Sequence, residues 1–317
     1  MIQRLAKKPV LLITGILIGV VYGVVTRIVF GQQATLVSLS FLVFVPAILG
    51  AIPLVFADEK QIRSYSNIIF IPWLTVATFF VAIWVMGYES VICLVILSAP
   101  FLVAGTIGAL IVRLLWLRSE KRRTTLMTLA MIPFLLSPVE EMLRSPSQVY
   151  TVPSEVRINA SASRIWDNII RVPEIKSGEY TPGVFNYLGI PRPIEAELAD
   201  ENPGAVRIGR FEGGLTFIEH IKDWKPGIRV SFDIAVDPAT IRREVFDQHV
   251  LKGNYFDFID AAYEIEQVSG NQMRLKLVSR YRLTSKLNFY GKFWGNLMLK
   301  DFQDRLLAVI KLRCEEE

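Results

Sequence analysis

Glu219 is the side chain in this sequence best placed to do chemistry from an apolar setting. It lies in RFEGGLTFIEHIKDWKPG, Arg210–Gly227, where Gly213-Gly214 opens an alternating run and Lys225-Pro226-Gly227 closes it. Successive strand residues point to opposite faces. One face carries Leu215, Phe217, Glu219 and Ile221, and the other Thr216, Ile218, His220 and Lys222. The first set is the more apolar and is assigned inward. A carboxylate there must find donors or take up a proton. Two roles are open to it. It can be a structural carboxylate bonded to backbone or Arg, or it can contact a ligand headgroup or act as an acid–base group, because functional pockets concentrate such residues.

Partners for it are scarce. His220 is next in sequence but points to the opposite face, which argues against a Glu–His dyad in one cavity. His249 falls in a loop. With two His and two Cys, Cys93 and Cys314, the sequence offers no His/Cys metal spacing. It has no glycine-rich phosphate loop and no G-x-S-x-G elbow. No metal and no cofactor are expected.

The elements that would position Glu219 follow from periodicity. Strand-like runs cover Ser154–Ala160, Pro193–Leu198, Ala205–Phe211, Leu215–Trp224, Ile228–Val236, Tyr255–Ile265 and Gln272–Leu283. Ser161 is placed to cap a helix that brings Ile165, Trp166, Ile169 and Ile170 onto one face. A long helix, about Leu287 to Arg313, closes the chain with the stripe Tyr290, Phe293, Trp294, Leu297, Phe302, Leu306 and Ile310. Inward sets are Val230, Phe232, Ile234 and Val236 in one strand and Met273, Leu275, Leu277, Ser279 and Tyr281 in another. Arg274, Lys276, Arg280 and Arg282 form an outer stripe. Phe256 and Phe258 are out of phase with Ala261, Tyr263 and Ile265, so a bulge near Asp260 is predicted. A twisted antiparallel sheet around such a helix buries the apolar face of each and can leave a cavity between them. The expected ligand-binding residues are Phe217, Glu219, Phe232, Phe256, Phe258, Leu277, Ser279 and Tyr281 on strands, with Tyr290 and Trp294 on the helix. For the helix residues, core packing and cavity lining are not separable by pattern.

The first half of the chain is of another kind. A span needs about 20 predominantly apolar residues, and Pro9–Phe30, Thr35–Ala57, Ile68–Gly87 and Val91–Val112 qualify. Thr124–Val139 is uncharged but shorter and holds Pro133 and Pro138, so four or five spans are expected. Arg27, near the end of the first run, is expected to snorkel. Lys and Arg exceed Asp and Glu two to one in residues 1–149 and balance them in 150–317. The basic excess flanks apolar runs, which is a topology signal rather than a nucleic-acid footprint. Arg4, Lys7, Lys8, Lys60, Arg63, Arg118, Lys121, Arg122 and Arg123 fall in every second connecting segment, all on one side of the runs, so the N-terminus and the loop before the fifth run are expected in the cytoplasm. The following domain is extracytoplasmic if Thr124–Val139 crosses and cytoplasmic otherwise. Gly15, Gly19 and Gly23 form a small-residue face for helix packing, and self-association through it is open.

Three pieces carry a resemblance: VRINASASRIWDNI, FIEHIKDWKPGIRVSFDI and YRLTSKLNFYGKFWGNLMLKDFQDRLLAVIKLRCE. In this order they resemble the START-like helix-grip superfamily (SRPBCC), which includes polyketide cyclase and lipid-transport domains, over about residues 153–316. Gly189–Pro193, GIPRP, and the N-terminal spans resemble a bacterial membrane-anchored subgroup, which implies an inner-membrane location. The expected organisation is an all-α transmembrane domain over 1–144, a linker over 145–153, and an α+β helix-grip domain over 154–317. The resemblance implies a membrane-anchored module for an apolar or amphipathic, lipid-like small molecule, with the bilayer as its other partner. The alternatives are a cyclase or dehydratase using Glu219, and an interaction protein with a filled core.

Overall fold

A computed structural model describes residues 2–30, 38–118, 122–270 and 272–316. The chain forms two compact units, Met1–Ser145 and Pro146–Glu317.

The first unit is helical: α1 (Ile2–Phe30), α2 (Val45–Val55), α3 (Glu59–Arg63), α4 (Tyr65–Val85), α5 (Val91–Arg118) and α6 (Arg122–Met142). A π-turn, Ser40–Phe44, leads into α2, where Pro46 cannot donate a backbone hydrogen bond. Asp58 starts α3 with a capping box: its carboxylate accepts from the Gln61 amide at 2.8 Å, and Gln61 Oε1 accepts from the Asp58 amide at 2.9 Å. Helices α2 and α5 meet through small residues. A Cβ on Gly50 would lie 2.1 Å from Gly105 O, and one on Gly108 would lie 1.8 Å from Ala47 O, so only glycine permits this approach.

The structure bears on three expectations in this unit, and the one for Arg27 changes. Val10–Phe30, Tyr65–Val85 and Val91–Trp116 are long and apolar enough to cross a membrane, but Ser40–Val55 and Ala130–Glu140 are shorter apolar helices. The first three residues of the expected run Thr35–Ala57 lie outside the described residues. Arg27 does not snorkel. It is buried, its Nε donates to Glu89 Oε1 at 2.8 Å, and its Nη2 donates to Tyr88 O at 2.8 Å. The two charges that interrupt the apolar pattern satisfy each other. The glycine face of α1 is occupied within the chain: Cβ atoms on Gly15, Gly19 and Gly23 would meet Phe56, Thr75 and Leu49 at 3.0, 3.0 and 2.7 Å.

The second unit is a seven-stranded antiparallel sheet holding one long helix. Its strands are β1 (Ser147–Asn159), β2 (Pro193–Leu198), β3 (Val206–Phe211), β4 (Thr216–Lys225), β5 (Arg229–Val236), β6 (Phe256–Ser269) and β7 (Gln272–Thr284), in the order β1-β7-β6-β5-β4-β3-β2. Helices α7 (Ala162–Ile170) and α8 (Val184–Tyr187) join β1 to β2. Helix α9 (Val245–Leu251) joins β5 to β6, and α10 (Asn288–Glu315) closes the chain. Ser161 caps α7 by accepting from the Arg164 amide at 3.3 Å, and Ile165, Trp166, Ile169 and Ile170 are its buried face. The register break in β6 falls between Phe258 and Asp260. Ile259 is the extra residue that returns Ala261, Tyr263 and Ile265 to the inner face. On the outer face Arg274, Lys276, Arg280 and Arg282 of β7 pair with Glu266, Glu264, Asp260 and Asp257 of β6. These cross-strand pairs favour one register.

Two expectations change here as well. Ser147–Pro153, expected as linker, is the first half of β1. Its Pro153 is tolerated because β1 is an edge strand that pairs only with β7. On α10, Phe293 and Leu297 point outward and are exposed, while Gly295, Gln303, Leu306, Leu307, Ile310 and Cys314 are buried. The helix backbone approaches the sheet through Gly291 and Gly295, leaving no room inward for large side chains. A Cβ on Gly291 would lie 3.0 Å from Leu283 Cδ1, and one on Gly295 would lie 2.8 Å from Tyr281 Oη. At the other end Arg313 clamps the helix, donating to Glu179 at 2.7 and 2.9 Å and to Pro173 O and Glu174 O at 3.0 Å.

Gly295→Ala should destabilise the fold. Overpacking costs about 1–3 kcal/mol and exceeds the roughly 0.5–1 kcal/mol gained in helix propensity. A fall in melting temperature checks this. Hydrogen bonding from Arg313, the largest effect, holds the Glu179 carboxyl down at about 2 against an ordinary 4.5. The clamp's contribution should therefore be complete above pH 4.5 and fade as pH falls toward 2. Denaturation midpoints across that window should show this slope in the wild type and a weaker one in Glu179→Gln.

Candidate functional site

The hairpin β3–β4 places Arg207 directly opposite Glu219, so both side chains project to the concave face. Arg207 Nη1 donates to Glu219 Oε2, and both residues are buried. The guanidinium also donates through Nε to Ile170 O at 3.1 Å and through Nη2 to Ile169 O at 3.2 Å. Those carbonyls end α7, where the helix dipole favours a cation. The guanidinium lies 5.5 Å from the Phe232 ring centroid, a cation–π contact. Burial pushes the Glu219 carboxyl above the ordinary carboxylate range, and Arg207 offsets only part of that rise. Burial likewise pushes the neighbouring Tyr263 hydroxyl up to about 12. The charge of Glu219 is thus answered inside the protein, which is the structural role of the two that its position allowed.

This pair marks a boundary on β3, β4, β5 and β6, whereas the inward residues Tyr281 and Leu283 of β7 stay buried against α10. On one side Ile221, Val230, Phe232, Tyr263, Leu275 and Leu277 are buried with Ile165, Trp166 and Ile310 in a closed core. The rings of Trp166 and Trp224 meet edge-on there at 5.1 Å. On the other side the inward residues Phe211, Phe217, Ile234, Val236, Phe256 and Phe258 are only half-buried. Their rings form a continuous series. Phe211 and Phe217 are 4.7 Å apart, Phe217 and Phe258 5.2 Å, Phe258 and Phe256 4.9 Å, and Phe256 and Tyr281 5.4 Å. Phe302 of α10 joins it at 5.9 Å from Phe211. Gly209 keeps the space beside Glu219 clear: a Cβ there would lie 3.3 Å from Glu219 Oε1. The concave face is therefore a sealed core at one end and a half-open aromatic surface at the other.

The expected site residues divide accordingly. Phe217, Phe256 and Phe258 come together on the half-open surface. Phe232 and Leu277 belong to the closed core. Glu219 sits at the boundary. Ser279 accepts from Gln303 Nε2 at 2.7 Å, and that amide also donates to Val152 O at 3.2 Å. Tyr281 donates to Asn296 Oδ1 at 2.7 Å. Both hydroxyls are thereby engaged in holding α10 to the sheet. Tyr290 and Trp294 are half-buried on the first turns of α10, with ring centroids 6.5 Å apart. Sequence reasoning missed Arg207, Phe211 and Gln303 as members of this face, and placed Phe302 in the apolar stripe of the helix without including it among the expected ligand-binding residues. The signal for Arg207 was present, because it and Glu219 are equidistant from Gly213 in the turn and must pair in a regular hairpin. Gln303 is the polar interruption in the apolar stripe of α10.

The order of strands and the helix they hold define a helix-grip domain. No family model matches the chain, and no curated protein matches it. Among solved structures, an uncharacterised protein from Rhizobium leguminosarum aligns with 55% of this chain and 100% of its own, at 14% identity and a TM-score of 0.34. Norcoclaurine synthase from Thalictrum flavum aligns with 53% of this chain and 94% of its own, at 12% identity and a TM-score of 0.34. The fold assignment rests on strand order and the gripped helix rather than on these alignments.

Glu219→Leu should destabilise the protein by about 3–5 kcal/mol, because it leaves a buried guanidinium without its counter-charge. The double variant Arg207→Met/Glu219→Leu should lose less than the sum of its single variants. Recovery should be incomplete, since the Ile169 and Ile170 carbonyls also lose their donor. A double-mutant cycle by chemical denaturation checks this.

Proposed function

We propose that this protein is a membrane-tethered binding module whose helix-grip domain holds an apolar or amphipathic small molecule against its aromatic end. The observation that carries this reading is the set of inward-facing rings, Phe211, Phe217, Phe256, Phe258 and Phe302, left half-buried beside a closed core. Such surface is costly to expose to water and favourable to cover. Ligand sites are concave and mostly apolar with few polar groups, which matches this end of the grip. The neighbouring polar groups support an uncharged body at this surface: Glu219 is neutralised by Arg207, Ser279 is bonded to Gln303, and Tyr281 is bonded to Asn296. Three helices long and apolar enough to span a bilayer support the tether, which would keep the domain where molecules of this class reside. The paired state of Glu219 weighs against its use as a general base, since a base must be free to take a proton.

An environment-sensitive apolar fluorophore should bind the full chain, and Val236→Trp, which fills the half-open end, should weaken that binding at least about tenfold, or 1.4 kcal/mol. Phe232→Leu in the closed core should leave binding near its original level. Equal binding by wild type and Val236→Trp, with the variant's melting temperature unchanged, would overturn the reading.

A further inference from the structure

Phe289, Phe293 and Leu297 are 73%, 59% and 45% exposed. Their spacing of four residues puts them in one stripe along the first half of α10. Exposed Lys292 lies beside the stripe, and Lys300 lies just beyond it. The two phenyl rings are backed by half-buried rings, with Phe293 5.4 Å from Trp294 and Phe289 6.5 Å from Tyr290. The stripe is therefore a supported apolar surface rather than a scatter of single side chains.

Its place in the fold indicates what covers it. Asn288 Nδ2 donates to Pro146 O at 2.7 Å, and β1 begins with Ser147 opposite Thr284 of β7. Phe289 follows Asn288, so the stripe starts at the point where the chain enters this unit. Helix α6 ends at Met142, and the segment from there to Pro146 can extend no more than roughly 15 Å. An apolar and aromatic face flanked by lysine has the composition of a helix lying in a membrane interface. We infer that α10 docks this stripe on the surface of the bilayer, with Phe289, Phe293 and Leu297 at the boundary of headgroups and acyl chains and Lys292 among anionic headgroups. This inference rests on the reading of the first unit as membrane-embedded.

The test is spin-label accessibility on the full chain in vesicles of phosphatidylethanolamine and phosphatidylglycerol. A nitroxide is placed at Phe293→Cys, with Lys276→Cys on the outer sheet face and Val81→Cys on α4 as references. Wild type, whose Cys93 and Cys314 are not exposed, reports background labelling. Docking predicts that oxygen, which partitions into lipid, relaxes the label at 293 more effectively than a water-soluble nickel chelate, with the reverse at 276. Preferential nickel access at 293, with oxygen preferred at 81, would overturn the docking and leave the membrane reading intact. Preferential nickel access at both 293 and 81 would remove the membrane reading and the docking with it. A label at 293 shielded from both reagents would place protein, either another part of this chain or a second copy, where we place lipid.

Discussion

A charged pair inside an apolar sheet constrains everything around it. Arg207 and Glu219 face each other across one hairpin, and neither can remain buried without the other. The guanidinium fixes more than its carboxylate. It ties the end of α7 to β3 through two carbonyls and rests over Phe232 on β5. Four elements are thereby held in one arrangement from a single side chain. Below this point the interior is packed shut by tryptophans and branched residues. Above it the inward side chains of β3, β4, β5 and β6 are mostly aromatic and incompletely covered, while Tyr281 and Leu283 of β7 are buried. The pair thus acts as the floor of the half-open end.

The other wall is α10, and its placement is set by what it lacks. Gly291 and Gly295 bring its backbone against Leu283 and Tyr281, and Gln303 and Asn296 then bond to Ser279 and Tyr281. The helix is close to the sheet at β1 and β7, whereas the rings on β3, β4 and β6 stay half-covered. The same close approach leaves Phe289, Phe293 and Leu297 of the helix's first half facing outward. One packing decision therefore yields both the apolar concavity and the exposed stripe on the helix. In the helical unit a related economy applies: small residues let α2 and α5 touch, and Arg27 and Glu89 neutralise each other.

Much of this architecture was legible because strands with one buried face alternate strictly. Pro193–Leu198 was read to its exact bounds, and the phase change near Asp260 located the bulge at Ile259. What stayed hidden depended on tertiary partners. Pro153 reads as a breaker unless the strand is known to be an edge. Phe293 and Leu297 read as core because hydrophobicity alone marks an apolar residue, not the direction imposed by Gly295 two residues away on the opposite face. Arg27 reads as a snorkelling residue because its partner Glu89 is distant in sequence. At the candidate site, Phe217, Phe256 and Phe258 were found by face assignment. The division between closed core and half-open surface was not visible, since an inward apolar residue looks the same in both.

We propose that the half-open aromatic end holds a molecule of defined class. The most direct test is mass spectrometry of small molecules retained by the full chain, purified from its native host and transferred to lipid nanodiscs. Empty nanodiscs of the same lipids provide the reference. One apolar or amphipathic species, enriched over the reference and near stoichiometric with protein, is expected. Retention of nothing beyond the lipids of the empty nanodiscs would contradict it.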